Sequence, residues 1–402
     1  MRTPTYSAKP RCSLRRPPWT EAHSRGKSQT AWRAFAKVAT RPEGVNFLWS
    51  PGPPRASPRD TLLRVEVPIA VLGAGSFGTC LAVLCGRQHP VRLWARSAPL
   101  AEAIERDRRH PDRQSGLAIP KRVSATSDLA TALEGAAFVI VAVPSHAVRE
   151  VMTQASRWMS PDAIVICTAK GIEFETGMLM HRVLEDVLVP SQHPRITCLS
   201  GPSFAQEVAQ RKPTVVTIAA AEEKYAIEAQ AMLSCPWFRC YSTDDVVGVE
   251  VGGALKNVVA IAVGMSDGMG LGLNARAALM TRGLAELIRL AMELGGRLET
   301  LGGLSGMGDL MLTCTGDLSR NRQVGLGLGR GRPLEEIIAE LGEVAEGVQT
   351  TRAACRLAEK VGVELPIAEM VRRVLAGEAT PDEAGRALMT RQLGREYDPD
   401  RL

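Results

Sequence analysis

The sequence predicts an α/β protein, a Rossmann-type doubly wound sheet followed by an all-α C-terminal region and preceded by a disordered basic leader. Three observations carry this prediction. A strand, a glycine-rich turn and a helix follow one another in VPIAVLGAGSFGTCLAVLC. Short β-branched runs then alternate with helical patterns as far as residue 220, and from about Asp245 strand signals cease. The boundaries that follow are 1–64 for the leader, 65–244 for the sheet region and 245–402 for the helical region. A chain of 402 residues, 45% hydrophobic and 23% charged, has an ordinary globular composition and suffices for two cores.

Residues 1–64 hold 13 Lys/Arg against Glu21, Glu43 and Asp60, so the body of the chain is slightly acidic although the whole carries +6. A body of that charge gives no basic face, and no nucleic-acid partner is expected. The leader has nine prolines, no periodic apolar pattern and no apolar core of a secretory signal. It reads as a non-functional tail or misassigned start, as an organellar targeting segment, or as a basic arm. Nine cysteines occur with no C-x-x-C pair and only six histidines, which argues for free thiols in a reducing compartment and against a metal site. The expected localisation is cytoplasmic, with organellar targeting by 1–64 as the alternative.

In the opening motif Gly73 permits the tight turn, Gly75 lets the backbone approach a pyrophosphate, and Gly78 lets the helix lie on the strand. The helix N-terminus favours the anion. A second strand, VRLWAR, ends at Arg96, where such sites read the adenosine ribose. An arginine there suits the 2′-phosphate of NADP, and it also fits an ordinary surface position. Further strands are expected at 137–144, 163–171, 195–202 and 214–220. Three of their ends carry polar groups: Pro144-Ser145-His146, Lys170-Gly171 and Gly201-Pro202-Ser203. Because ligands sit at the carboxyl ends of such strands, the three clusters define one rim. Gly171 suits close approach of a ligand, and Pro202 is expected to open the helix SFAQEVAQ, with Gly201 and Ser203 at its start.

Helices are expected at 246–266, 275–294, 303–313, 319–329, 345–362 and 366–376, and another begins at TPDEAGRAL with Thr380 as its cap. The run GLGLGRG (325–331) follows no strand and reads as a helix end and turn rather than a nucleotide loop. The first helix is apolar except for Glu250, Lys256 and Asn257. It is interrupted by charge, so no membrane span is expected. Two readings of Lys256 stand on this window alone: a structural lysine reaching the surface, or a desolvated amine of shifted pKa suited to proton transfer. Gly252, Gly253 and Ala260, one turn away, leave room for a ligand beside it.

GAGSFGT, TAKGIE, SGPSFAQEVA, GGALKNVVAIAVGMSDGMGLGLNARAALMTRG, GMGDLMLTCTGDLSRNR and VAEGVQTT, in this order and spacing, resemble the bacterial-type NAD(P)-dependent sn-glycerol-3-phosphate dehydrogenases. The resemblance runs from about residue 67 to the C-terminus. Met307 stands where the family more often shows Leu, a change of similar volume. The resemblance implies reduction of dihydroxyacetone phosphate to sn-glycerol 3-phosphate with NADPH or NADH, feeding phospholipid synthesis, and Arg96 makes NADPH the preferred cofactor. It implies Lys256 as the catalytic proton donor and acceptor. Implied substrate positions are Lys170, Gly201, Ser203, Lys256, Asn257, Asp309, Ser319, Arg320 and Asn321. Implied cofactor contacts are Ser76, Phe77, Arg96, Lys170, Ala205, Arg320, Val344 and Glu346, alongside Gly73, Gly75 and Gly78. Asp309 and Ser319 also read as helix caps. The sequence leaves the oligomeric state open, with a homodimer among the assemblies it allows. A ketopantoate- or hydroxyisobutyrate-type reductase would share the glycine loop and a lysine but gives no reason for SRNR, and a non-catalytic nicotinamide sensor would need neither Lys170 nor Lys256.

Overall fold

The computed structural model describes residues 66–396 apart from 114, 115, 343, 344 and 394, so the leader and Val344 lie outside the described residues. All described residues fall within one compact unit, Ala56–Leu402. Its sheet has eight strands in the order β3-β2-β1-β4-β5-β6-β7-β8. They are β1 (Ile69–Leu72), β2 (Val91–Trp94), β3 (Val123–Thr126), β4 (Phe138–Val141), β5 (Ile164–Cys167), β6 (Ile196–Ser200), β7 (Thr214–Ala220) and β8 (Phe238–Thr243). Every neighbouring pair is parallel except β6 and β7. Ile69, Val71, Ile140 and Ile166 face one core, while Ala70, Leu72, Val139, Val141 and Val165 face the other. Burial on both faces explains why the central strands read as continuous apolar runs.

The two strands absent from the sequence expectation, β3 and β8, are the two edges of the sheet. The side chains of β8 alternate buried and exposed from Phe238 to Tyr241, so a search for continuous apolar runs passes over them. The helices of this half are α1 (Ser76–Cys85), α2 (Ala98–Asp107), α3 (Leu129–Leu133), α4 (Val148–Ala155), α5 (Met180–Val187), α6 (Ala205–Ala209) and α7 (Glu223–Leu233). Helix α6 corrects one expectation. Pro202 does not open it; Phe204 is its N-cap and residues 201–204 remain non-helical. Gly201 itself lies in the left-handed region with φ +128°, a conformation glycine adopts readily.

The second half is helical throughout: α8 (Val246–Gly268), α9 (Gly272–Glu293), α10 (Leu298–Gly302), α11 (Asp309–Thr315), α12 (Arg320–Gly329), α13 (Leu334–Leu341), α14 (Glu346–Val361), α15 (Pro366–Leu375) and α16 (Pro381–Met389). Asp245 caps α8 by accepting from Gly248 N at 2.8 Å, and Thr380 and Glu383 form a reciprocal capping box at α16. By length and composition α8 could cross a membrane, but 89% of its most apolar window is buried inside the protein.

Two further findings place the site. The helix expected at 303–313 is present, but its first turn, Leu304–Gly308, is π-helical and runs directly into α11. Gly306 there lies against Leu301 too closely for a β-carbon, and the turn delivers Asp309 as the first residue of α11. The glycines of 325–331 do more than end a helix. Gly325 and Gly329 of α12 lie against the backbone of Ile261 and Met265, and Gly264 and Gly268 of α8 return the contact against Arg322 and Leu326. Side chains at these positions would force the helices apart, so the crossing holds the start of α12 beside the middle of α8.

Candidate active site

Lys256 lies on the buried part of α8 with 7% of its surface exposed, so its amine is held inside the protein rather than carried to the surface. Its Nζ donates to Asp309 Oδ1 at 2.5 Å, and Lys170 Nζ, from the segment after β5, donates to Asp309 Oδ2 at 2.7 Å. One buried carboxylate thus serves two ammonium groups from different parts of the chain. Burial lowers the Lys256 pKa to about 8; the Asp309 charge opposes the shift and the neighbouring Lys170 charge adds to it. Burial by itself pushes Asp309 up, yet the two lysines outweigh it and hold the carboxyl below its usual range. Thr313, one turn along α11, donates to the Asp309 backbone carbonyl at 2.6 Å and braces the turn.

Lys170 Nζ also donates to the Gly201 carbonyl at 3.1 Å, and the Ser203 hydroxyl donates to the same oxygen at 3.0 Å. A second chain of contacts starts from the Lys170 carbonyl, which accepts from Asn257 Nδ2 at 3.3 Å. Asn321 Nδ2 donates to Asn257 Oδ1 at 2.9 Å, and Gly347 N donates to Asn321 Oδ1 at 2.9 Å. Next to Gly347, Glu346 Oε1 accepts from Ser145 N at 3.2 Å. Burial raises the Glu346 pKa against the pull of that N–H and of the charges on Arg320, Lys170 and Lys256. Lys170, Gly201, Ser203, Lys256, Asn257, Asp309 and Asn321 therefore form one hydrogen-bonded network at the carboxyl ends of β5 and β6, and Glu346, joined to it along the chain through Gly347, reaches the end of β4 at Ser145.

Ser319 is buried and caps α12 by accepting from Arg322 N at 3.2 Å. Arg320 follows as an exposed residue at the start of that helix. Asp309 is not a cap, since Gly308 holds that position. The second arginine of SRNR, Arg322, is committed elsewhere: its guanidinium binds Asp267 Oδ2 at 2.8 Å and Asp317 Oδ1 at 3.0 Å. The glycines beside Lys256 do not leave ligand space. A β-carbon on Gly252 would meet the Ser305 carbonyl at 2.5 Å, and one on Gly253 would meet Ser200 Oγ at 2.6 Å. Gly171 likewise admits Ser145 and Thr350 rather than a ligand.

At the glycine loop, Gly73 has φ +116° and a β-carbon there would meet the Ala142 carbonyl at 2.6 Å, while Gly78 lies against the Gly73 backbone. Gly75 is different. The nearest atom to its absent β-carbon is Arg113 Nη1 at 3.6 Å, so the loop is open at the N-cap of α1. Ser76 and Phe77 begin that helix, which carries no acid in its first turn, and α6, with Ala205 at its start, packs on it. This cradle fits the diphosphate of a dinucleotide. Arg96 is exposed, two residues beyond the end of β2. Among the described residues no group of three or more His, Cys, Asp or Glu could hold a metal ion.

With this geometry in place the comparisons are decisive. Residues 68–226 match the N-terminal part, and residues 245–386 the C-terminal part, of the NAD-dependent glycerol-3-phosphate dehydrogenases. The chain belongs to that family. It is 51% identical over 324 residues to the glycerol-3-phosphate dehydrogenase [NAD(P)+] of Myxococcus xanthus, covering 80% of this chain and 97% of that protein. It is 48% identical over 335 residues to the enzyme of the same name from Stenotrophomonas maltophilia, covering 83% and 97%. Among solved structures, glycerol-3-phosphate dehydrogenase from Coxiella burnetii superposes with a TM-score of 0.77 at 38% identity, covering 81% of this chain and 99% of that one. A ketopantoate reductase from Ralstonia eutropha, at 16% identity and a TM-score of 0.51, shares the fold alone.

As a family member the chain is an oxidoreductase that uses NAD or NADP and acts on a small molecule. Sequence reasoning passed over Thr313, Asp245 and the loop around His110. Thr313 was findable from its four-residue spacing after Asp309, which puts both on one face of a helix.

Proposed function

We propose that the chain interconverts dihydroxyacetone phosphate and sn-glycerol 3-phosphate with NADPH or NADH, supplying glycerol 3-phosphate for phospholipid synthesis. The observation that carries this reading is the Lys256–Asp309–Lys170 cluster at the strand ends. When bound, the reduced nicotinamide supplies a hydride to the C2 carbonyl carbon of the substrate. Lys256 gives a proton to the carbonyl oxygen, because the alkoxide formed by hydride addition must be protonated at once. Asp309 keeps both lysines in place and keeps Lys256 charged despite its burial. Lys170 supplies a second positive charge to the substrate side, and Asn257 and Asn321 orient its hydroxyl groups. Arg320, with Asn321, takes the phosphate, since a guanidinium offers paired donors to a phosphoryl group. Gly201, Ser203 and Ser319 complete the substrate pocket, and Gly73, Gly75, Ser76, Phe77, Gly78, Arg96, Ala205, Val344 and Glu346 serve the cofactor.

The division into a cofactor region, 65–244, and a substrate region, 245–402, a preference for NADPH, a homodimer and a cytoplasmic location belong to the same proposal. Oxidation of NADPH by purified protein with dihydroxyacetone phosphate tests the activity, with ketopantoate and unphosphorylated dihydroxyacetone as comparison substrates. Turnover far faster with the phosphorylated ketone than with either comparison substrate is expected, with only poor activity on dihydroxyacetone; equal turnover of ketopantoate would overturn the substrate assignment. Arg320→Lys should raise KM for dihydroxyacetone phosphate far more than it changes activity on dihydroxyacetone. Light scattering after size exclusion decides the dimer.

A further inference from the structure

Helix α12 is held in two different ways along its length. Val324 and Leu328 anchor its middle and end in the apolar core, where Gly325 and Gly329 meet the backbone of α8. Its first turn, Arg320-Asn321-Arg322-Gln323, has no apolar side chain to bury, so polar contacts must fix it. Two of these reach α8. Asn321 Nδ2 donates to Asn257 Oδ1 at 2.9 Å, and Arg322 donates to Asp267, in the last turn of α8, from Nε at 3.1 Å and from Nη2 at 2.8 Å. Both donors of that guanidinium edge converge on Oδ2, while Oδ1 accepts from Arg276 Nε of α9 at 2.9 Å. The Asp267 and Arg322 side chains are 7% and 10% exposed, so the pair is largely withdrawn from water.

We infer that Asp267, acting through Arg322, is a positioning residue for phosphate recognition, fixing the first turn of α12 so that Arg320 and Asn321 meet the substrate phosphate. The inference rests on the substrate reading above. Successive helical residues lie about 100° apart around the axis, so Arg320 and Arg322 stand on opposite sides of the turn. A rotation that releases Arg322 therefore swings Arg320 by the same angle. A buried carboxylate shared by two arginines adds little net stability, but it selects one arrangement over close alternatives, because each alternative leaves a buried charge without its partner. Asp267 acts at one remove: it holds Arg322, and Arg322 holds the turn.

Steady-state kinetics of the full chain with dihydroxyacetone phosphate and with unphosphorylated dihydroxyacetone, together with NADPH titration, test this. Asp267→Asn keeps the volume and removes the charge. It should raise KM for dihydroxyacetone phosphate about tenfold and leave kcat at saturating substrate within about twofold of wild type. Activity on dihydroxyacetone and affinity for NADPH should stay unchanged. Arg322→Lys keeps a charge beside Asp267 but lacks the paired edge, so it should raise the same KM about threefold, and it carries the test if Asp267→Asn does not fold. Proportional losses on both ketones would overturn the positioning role and make the pair structural. The wild type reports separately on the substrate. Equal use of the two ketones by wild type would overturn the phosphate assignment and this inference with it, whereas a wild-type preference for the phosphorylated ketone that both variants retain in full would overturn the role of Asp267 alone.

Discussion

Asp309 in the cleft and Glu286 between α9 and α15 are both buried carboxylates, 1% and 4% exposed, and they end on opposite sides of their ordinary range. Burial raises each. At Asp309 two ammonium groups within 2.7 Å outweigh it, and the acid stays ionised. At Glu286 the partners are the backbone N–H groups of Ile367 at 2.7 Å and Ala368 at 3.2 Å, with Arg289 and Arg282 acting from farther off. There burial prevails and the pKa rises to about 7. Full charges overcome desolvation where peptide dipoles at similar distances do not. The charge-paired carboxylate holds two buried ammonium groups together, while the amide-capped acid is a joint between two helices.

The largest effect should come from breaking the cluster. Lys256→Ala is expected to lower turnover by about a hundred to ten thousandfold while NADPH binding survives, since the lysine acts on the alkoxide. A turnover number within a few fold of wild type would remove it from the chemistry. The pH dependence sharpens the same point. Reduction needs the ammonium form, so it should decline as pH rises through about 8, and oxidation, which needs the neutral amine, should rise there. That apparent value belongs to the coupled cluster rather than to one residue. Asp309→Asn removes the charge that opposes burial of Lys256, so the remaining activity in the reductive direction should decline at lower pH than in wild type. An unmoved limb would show that Asp309 does not set the proton affinity of Lys256.

Much of this cluster was legible in the chain. A lysine inside the apolar run of α8 is conspicuous because burial of a charge demands a partner, and Lys170 lies at a strand end where α/β sheets bind ligands. Asp309 required the family resemblance, because no periodicity announces the π-helical turn that presents it. The glycines of α8 and α12 were visible, but their use was not. Whether a small residue makes room for a ligand or for another backbone depends on which helices cross, and that is a long-range property. Glu286 was invisible for a related reason, since its partners are backbone groups 81 and 82 residues away. The edge strands β3 and β8 escaped because one-sided burial leaves a weaker pattern than the two-sided burial of β1 or β5.

Arg96 offers an intermediate case, a charge left exposed two residues beyond the end of β2. Arg96→Ala should weaken NADPH about ten to a hundredfold and leave NADH nearly unchanged, because one charge-assisted contact contributes about 1.5–3 kcal/mol and only NADPH carries the phosphate. Fluorescence titration of both cofactors measures it. A wild type that prefers NADH, or a variant that loses both equally, would make Arg96 an ordinary surface residue.

The smallest effect on activity, and the most direct test of the comparison, is Glu286→Gln. The amide keeps the volume and can accept only one of the two N–H groups at the start of α15, turning its own NH2 toward the other. An unpaired buried donor costs about 1–3 kcal/mol, so the variant should melt lower than wild type while turnover is unchanged. The sign of the pH dependence separates the two descriptions of this acid. A carboxyl whose folded-state pKa is raised to about 7 contributes stability that is fully present below the ordinary carboxylate range and is lost as pH rises toward 7. The advantage of wild type over the glutamine variant should therefore be greater at pH 5 than at pH 8, measured as a difference in melting temperature at each pH. An advantage that grows with pH would mean that the two N–H donors hold Glu286 ionised as firmly as the lysines hold Asp309. The distinction between charge pairing and amide capping would then fail for this molecule.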